Sequence, residues 1–585
     1  MRIGSEEALR EAGRLTGKVG SLPVLVVQDG EERFAIEDRC PHLGFPLARG
    51  TVADGLITCH WHHARFDLSS GCTLDPWADD ARAFDVEVTD GEVFVCSRAA
   101  ASSAERWEAR LAEGLEGGLE LVLAKAVVGL LDADDGERLV VEAAARFGLE
   151  HRGPGWGSGL TILVAMANVV PHLRPGDRAV ALTHAVAHVS RDTLGHAPAF
   201  TEPPLRGAAV DDARLVAWYR GFVETRSSDA AERVVATALD AASPAAVVPM
   251  LVDAATDHVW LDGGHTLDFT NKAVELGVHA DGVAGRALVS LVDQTCQARR
   301  AEESSAWRHP VDLVALVATT VERLGAALDQ RSGDRAAEDG ALTTLAWALL
   351  DEDAARVADA LVDAATAGAD VEQLARAVAY AAALRIVRFH TRNDHGDWDT
   401  VHHAFTTANA CHQLVGSAGA PALLRAIVQG AMRVHLDRFL NIPAARVPRA
   451  RSGSLADLAD CWNEQGRINE AGELAFGFLA GGGRRDELVA ALGAGLVHED
   501  AGFHWFQLYE AAVRQSAAWP EGSDESALIL VAFARFLAAQ TPTRRELPRV
   551  VEIARRLSRG EALFEDDAPA EAIENGRSAR VEQTL

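Results

Sequence analysis

The chain has 585 residues, 48% of them hydrophobic and 24% charged, which fits a globular protein of more than one domain and excludes a wholly disordered chain. Asp and Glu number 85 against 56 Lys and Arg, a net charge of −29, so an electrostatic footprint for nucleic acid or an anionic membrane surface is excluded. Apolar runs such as Ala126 to Leu131 and Ile162 to Ala167 are too short to span a bilayer, and seven cysteines are too few for a disulfide scaffold.

Met1 to Arg10 carries charge and lacks an apolar signal region, so a soluble cytoplasmic protein is expected. The first 97 residues differ from the rest. Short β-type runs recur at Leu22–Val27, Arg33–Glu37, Leu56–Thr58, Phe84–Val88 and Val93–Cys96, separated by turn signals such as Asp54-Gly55 and Asp90-Gly91. This spacing predicts a small antiparallel all-β domain over 1–97. A small-residue linker over 98–104 is expected next, then a large all-α domain over 105–564, Ala- and Leu-rich with 3.6-residue periodicity. The acidic, weakly patterned tail 565–585 is expected to be disordered. An internal duplication of the helical part is suggested by two pairings: His184-Ala185-Val186 with His403-Ala404-Phe405, and Gly264-His265 with Phe503-His504.

The strongest motif is Cys40-Pro41-His42 followed by Cys59-His60-Trp61-His62. It resembles a Rieske centre, in which one iron of a 2Fe–2S cluster takes two thiolates and the other two imidazoles. Neutral imidazoles donate less charge than thiolates, which raises the potential. Gly44, and Ala64-Arg65-Phe66-Asp67 with Ser70-Gly71, resemble Rieske ferredoxins and the Rieske domains of ring-hydroxylating oxygenases. The resemblance implies that Cys40, His42, Cys59 and His62 bind the cluster. His63 stands where those proteins usually carry glycine, and Phe45 and Trp61 stand where respiratory-chain Rieske proteins carry a loop-bridging disulfide. A low-potential, ferredoxin-like cluster is therefore expected. Two Cys and two His also suit tetrahedral zinc, but the flanking residues favour the cluster. Cys72 and Cys96 read as small core residues.

A Rieske domain only carries electrons, so the helical part must supply their destination. The α/β catalytic domain of familiar Rieske oxygenases, with its Asp-x-x-His-x-x-x-x-His pattern, is not legible here. Histidines recur instead at apolar helical positions. His184 and His188 share one face of a helix opened by Pro175, and His265 lies in the first turn after Asp262-Gly263-Gly264, with Asp268 one turn on. Asp399 and His403 share a face, His402 lies beside Phe405, and His504 sits among Phe503, Trp505 and Phe506. Histidines converging from several helices suit iron, with Asp268 or Asp399 orienting an imidazole. His390, His395, His412, His435 and His498 read as structural. Lys272 reads as a solvated lysine unless carboxylated, when it would offer an extra oxygen ligand.

These segments are similar to the questin oxidase-like family. His184-Ala185-Val186-Ala187-His188 resembles its His-Gly-x-x-His element, Gly264-His265 its Gly-His helix, and His403-Ala404-Phe405-Thr406 its His-x-Val-Thr helix. The resemblance implies a mononuclear Fe(II) site drawn from His184 or His188, His265, His403 and His504. It also implies oxygen-dependent oxidation of a bulky aromatic, polyketide-type substrate. Ala185 and the Rieske domain depart from that pattern. The expected function is thus a Rieske-coupled non-haem iron oxygenase, served by an external ferredoxin or flavin reductase and able to act as a homo-oligomer. The alternatives are a Rieske electron-transfer or redox-sensing protein with a helical scaffold, or a zinc-stabilised binding protein.

Overall fold

The computed structural model describes residues 1–97, 103–207, 210–330, 337–393, 395–559, 561 and 563. Two compact units divide the chain: Met1–Ala101 with the segment from Glu552 onward, and Ser102–Val551. Most of the expected linker and tail lies outside the described residues, but the helix Ser103–Gly117 begins inside the expected linker. The segment from Glu552 groups with the β unit rather than with the helices, and Leu557 and Leu563 pack beside Gly44 there.

The first unit holds nine strands: β1 (Arg2–Ser5), β2 (Arg14–Val19), β3 (Leu22–Asp29), β4 (Glu32–Glu37), β5 (Thr51–Ala53), β6 (Leu56–Thr58), β7 (Arg65–Asp67), β8 (Ala83–Thr89) and β9 (Glu92–Ser97). They form an antiparallel six-stranded sheet, β1-β9-β8-β4-β3-β2, and a three-stranded sheet, β5-β6-β7. All five expected runs lie within these strands. Helix α1 (Glu6–Ala12) starts where the Ser5 side chain accepts the Ala8 N–H and stops at Gly13 in the left-handed region. The uninterrupted apolar run of β3 has a physical cause, because both of its faces are buried. Leu25 and Val27 join the core that holds Cys40, Cys59 and Phe66, while Val24 and Val26 join a second core with Phe84, Val93 and Val95.

The second unit is helical throughout its described elements. Six helices bear on function: α2 (Ser158–Val169), α3 (Pro175–Thr193), α4 (His265–His279), α5 (Trp398–Gln413), α6 (Phe503–Ala517) and α7 (Asp524–Gln540). Pro175 opens α3 at a position that needs no N–H. α4 and α6 each pack on both α2 and α5, and α6 also packs on the almost wholly buried α7. Among the described residues no helix is long and apolar enough to cross a membrane.

Candidate metal centres

Two loops of the first unit carry matching backbone turns. In the first, the Cys40 N–H donates to the Phe45 carbonyl and the Gly44 N–H to the Cys40 carbonyl, each at 2.7 Å. In the second, the Cys59 N–H donates to Ala64 at 2.8 Å and the His63 N–H to Cys59 at 3.0 Å. Gly44 and His63 are therefore equivalent, four residues after their cysteines, and both have positive φ, 80° and 64°. This explains why glycine suits position 63: His63 holds a left-handed backbone that carries a steric cost for any side chain.

The turns bring Cys40 and Cys59 into hydrogen-bonding contact in the core, and set the rings of His42 and His62 with centroids 4.7 Å apart. Backbone N–H groups of His42 and Leu43 face Cys40, and those of Trp61 and His62 face Cys59. The hydrogen bond from Cys40 and these amides pull Cys59 down to about 6 against its burial. Cys40 is pushed the other way, by its hydrogen bond with Cys59 and by burial, so one thiolate is favoured in the pair. Two cysteines beside two imidazoles are the kind of donor set a Rieske 2Fe–2S cluster takes. His60 is held elsewhere, with Nε2 2.6 Å from the Thr51 hydroxyl. The remaining motif residues brace the second loop. Arg65 pairs with Asp75, and Asp67 accepts from the hydroxyls and amides of Ser69 and Ser70, which keeps its carboxyl below the usual range. Gly71 runs so close to Ala81 that a Cβ would sit 2.0 Å from its carbonyl oxygen.

Residues 1–85 match the family model for the Rieske [2Fe-2S] domain. Ferredoxin CarAc of Metapseudomonas resinovorans is 34% identical over 83 residues, 14% of this chain and 78% of that ferredoxin. The chain belongs to the Rieske [2Fe-2S] family. Human apoptosis-inducing factor 3 is 38% identical over 73 residues, so the chain spans only 12% of that relative's length. Among solved structures, the ferredoxin of carbazole 1,9a-dioxygenase from Nocardioides aromaticivorans IC177 is 29% identical, covering 17% of this chain and 97% of the ferredoxin with a TM-score of 0.16. The Rieske domain is thus homologous to ferredoxin components of dioxygenases, and its family implies a 2Fe–2S cluster.

In the helical unit, His265, His403 and His504 come together, each offering a ring nitrogen within 4.8 Å of the others. They arrive from three helices, and a strained approach places the first. Trp260, Asp262, Gly263 and Gly264 all have positive φ, and the Asp262 N–H donates to the Arg299 carbonyl. Gly264, at φ 106°, passes so near α5 that a Cβ would lie 2.3 Å from the Thr407 hydroxyl. Only glycine lets α4 start there, with His265 against His403. Phe269 and Phe503 pack on His265. Burial, then the neighbouring imidazoles, pulls His403 down to about 3 and His504 to about 4, and burial lowers His265. All three are neutral at physiological pH, the form that ligates metal.

His402 lies beside this group, its ring 4.0 Å from His504 and 4.2 Å from His403. Its Nδ1–H donates to the Trp398 carbonyl, and its buried Nε2 has no hydrogen-bond partner. His184 and His188 stand apart from the group. They share a face of α3, but that face packs on Phe506, and their Nε2 atoms reach the carbonyls of Val497 at 2.9 Å and Ala501 at 3.4 Å. The pair braces the turn that leads into α6 and so positions His504. The side chain of Asp399 lies outside the described residues. Asp268 does not turn to an imidazole; its carboxylate accepts from Gln507 and faces Lys272, and burial lifts it to about 7.

Lys272 is not a solvated lysine. It is 1% exposed, with Nζ 2.8 Å from Glu275 and 3.0 Å from Glu510. Burial would lower this ammonium, but Glu275, Glu510 and Asp268 hold it above its ordinary value. The sequence reading missed the wider pattern to which it belongs. From each clustered histidine a polar stripe runs down its helix: Asp268, Lys272 and Glu275 on α4, Asn409 and Gln413 on α5, and Gln507, Glu510 and Arg514 on α6. Steps of three or four residues from each histidine, through Thr406 on α5, were the available signal.

Proposed function

We propose that this chain is a Rieske-coupled, mononuclear non-haem iron oxygenase. The observation that carries the reading is the meeting of His265, His403 and His504, neutral and half-buried, in a chain that also holds a Rieske domain. An iron bound by those imidazoles would supply dioxygen activation, with the 2Fe–2S cluster as its source of electrons. Three protein ligands leave coordination positions open, as catalytic rather than structural sites require. The other residues have definable tasks. His402 Nε2 keeps a free lone pair beside the group, and Phe269 and Phe503 supply apolar walls against His265. Asp268, lifted to about 7, can hold a proton on its carboxyl at neutral pH, with the Lys272–Glu510 pair below it.

The substrate class rests on the resemblance of Gly264-His265 and His403-Ala404-Phe405-Thr406 to questin oxidase-like elements: a bulky aromatic, polyketide-type molecule. An external ferredoxin or flavin reductase would reduce the cluster, by analogy with relatives named as ferredoxins of dioxygenases. Action in the cytoplasm, as a monomer or homo-oligomer, completes the proposal. The test is metal content with electron paramagnetic resonance. The native chain is expected to hold three irons, two of them giving a Rieske-type resonance after dithionite. His265→Ala and His504→Ala should each lose the third iron and keep the red 2Fe–2S spectrum. Three irons retained in both variants would sink the oxygenase reading in favour of an electron-transfer protein with a helical scaffold.

A further inference from the structure

A cleft of about 510 Å³ opens in the helical unit, bounded by His390, the loop bearing Arg446, Val447 and Arg449, and Arg535 of α7. Its charge stands out in so acidic a chain: three arginines line it against one carboxylate, Glu473. Arg535 is 1% exposed. Its terminal nitrogens donate to Asn469 Oδ1 and to the Phe389 carbonyl, each at 2.7 Å, and its Nε is buried with no hydrogen-bond partner. Among the described residues its guanidinium makes no ion pair; Glu473 acts on it only at longer range, and burial pulls it down to about 10. A buried cation without a counter-ion is unfavourable, and an anion entering the cleft would relieve it. Arg446 and Arg449 are exposed beside it and hold no partner among the described residues.

We propose that this cleft binds a small organic carboxylate, its charged group held by Arg446, Arg449 and Arg535 and its apolar body laid along Val447. Planar guanidinium forks match carboxylate geometry, and the volume lies in the range of small-molecule sites. Glu473 in the wall penalises a doubly charged phosphate more than a singly charged carboxylate. Phe536, next to Arg535, has its ring 6.0 Å from His402, and Phe389 packs 4.2 Å from Trp398 at the start of α5. The proposal stands independently of iron in the helical unit, since the cleft contains none of the clustered histidines.

The test is titration calorimetry on the full chain with benzoate, benzyl alcohol and inorganic phosphate. Benzoate is expected to bind and the neutral alcohol not to. Arg446→Gln with Arg449→Gln should weaken benzoate at least tenfold without moving the circular dichroism or the melting temperature, because both side chains are exposed. Arg446→Gln alone, titrated the same way, keeps the test open if the double variant loses its fold. No binding of benzoate, equal binding by the variants, or phosphate binding as tight as benzoate would each overturn the proposal.

Discussion

Acidification should destabilise the helical unit through its buried histidines. His184, His188 and His504 sit at about 4 and His403 at about 3, in each case chiefly because burial disfavours the imidazolium. An unfolded histidine titrates near 6.5, so below that pH the unfolded chain takes up protons the native chain refuses. Their contribution is complete above about 6.5 and is lost as pH falls towards the native values of about 3 to 4. Between pH 7.5 and 5.5 each such group costs about 1.4 kcal/mol, roughly 5 kcal/mol for the four. Two carboxyls oppose this. Burial raises Asp268 to about 7 and Asp437 to about 6, so both take up protons in the native state over the same interval. They return about 2 and about 1 kcal/mol, which leaves a net loss of about 3 kcal/mol, a large part of ordinary stability. Urea unfolding of chelator-treated protein at the two pH values, followed by far-ultraviolet circular dichroism, reads that difference. Excess zinc should stabilise the unit at pH 7.5, by about 2.7 kcal/mol at a hundred times its dissociation constant, and less at pH 5.5, where protons compete for the imidazoles. Equal or greater stability at pH 5.5 in the chelated protein would refute the reasoning.

Other perturbations follow from named contacts. His63→Gly removes a side chain from a left-handed backbone and should raise the stability of the Rieske unit by about 1 kcal/mol, seen as a higher melting temperature with an unchanged cluster spectrum. Lys272→Met leaves Glu275 and Glu510 without their buried cation; a loss of about 3–5 kcal/mol is expected in urea unfolding, and Glu510→Gln in the same chain should restore part of it. Gly264→Ala meets both the positive φ and Thr407, so zinc affinity in the helical unit should fall while dithionite-reduced 2Fe–2S resonance persists; unchanged affinity would show that α4 can start elsewhere. Cys40→Ser should abolish the 2Fe–2S absorbance while leaving metal uptake by the helical unit intact, measured as iron per chain.

The Rieske loops were legible because their chemistry is local. Each cysteine–histidine pair lies on one turn, and the two turns flank short strands of a single small unit, so the ligand spacing is written in consecutive residues. The strands that went unseen are those with little periodicity to read. β1 has four residues, β5 and β7 have three each, and β2 interrupts its pattern with Gly17 and Lys18. Register with β9, β3 and β6, not local propensity, makes them strands.

The helical site shows where a one-dimensional reading stops. Periodicity established that His184 and His188 share a face, and they do, but it could not say what packs on that face; Phe506 and the turn from Val497 to Ala501 do. Nor could it choose between His402 and His403, which differ by about 100° around α5 and therefore in which neighbour each meets. The choice is made far earlier in the chain, where Gly264 admits α4 against Thr407 and sets His265 over His403. His504 completes the group because α6 crosses the same two helices as α4 does. A ligand set assembled from such distances depends on backbone close approach at a few points. The informative residue is then the glycine that permits the approach, as much as the histidines that profit from it. A side chain at Gly264 would leave every imidazole in the sequence and still separate them in space, and for that reason metal affinity of Gly264→Ala tests the site independently of its ligands.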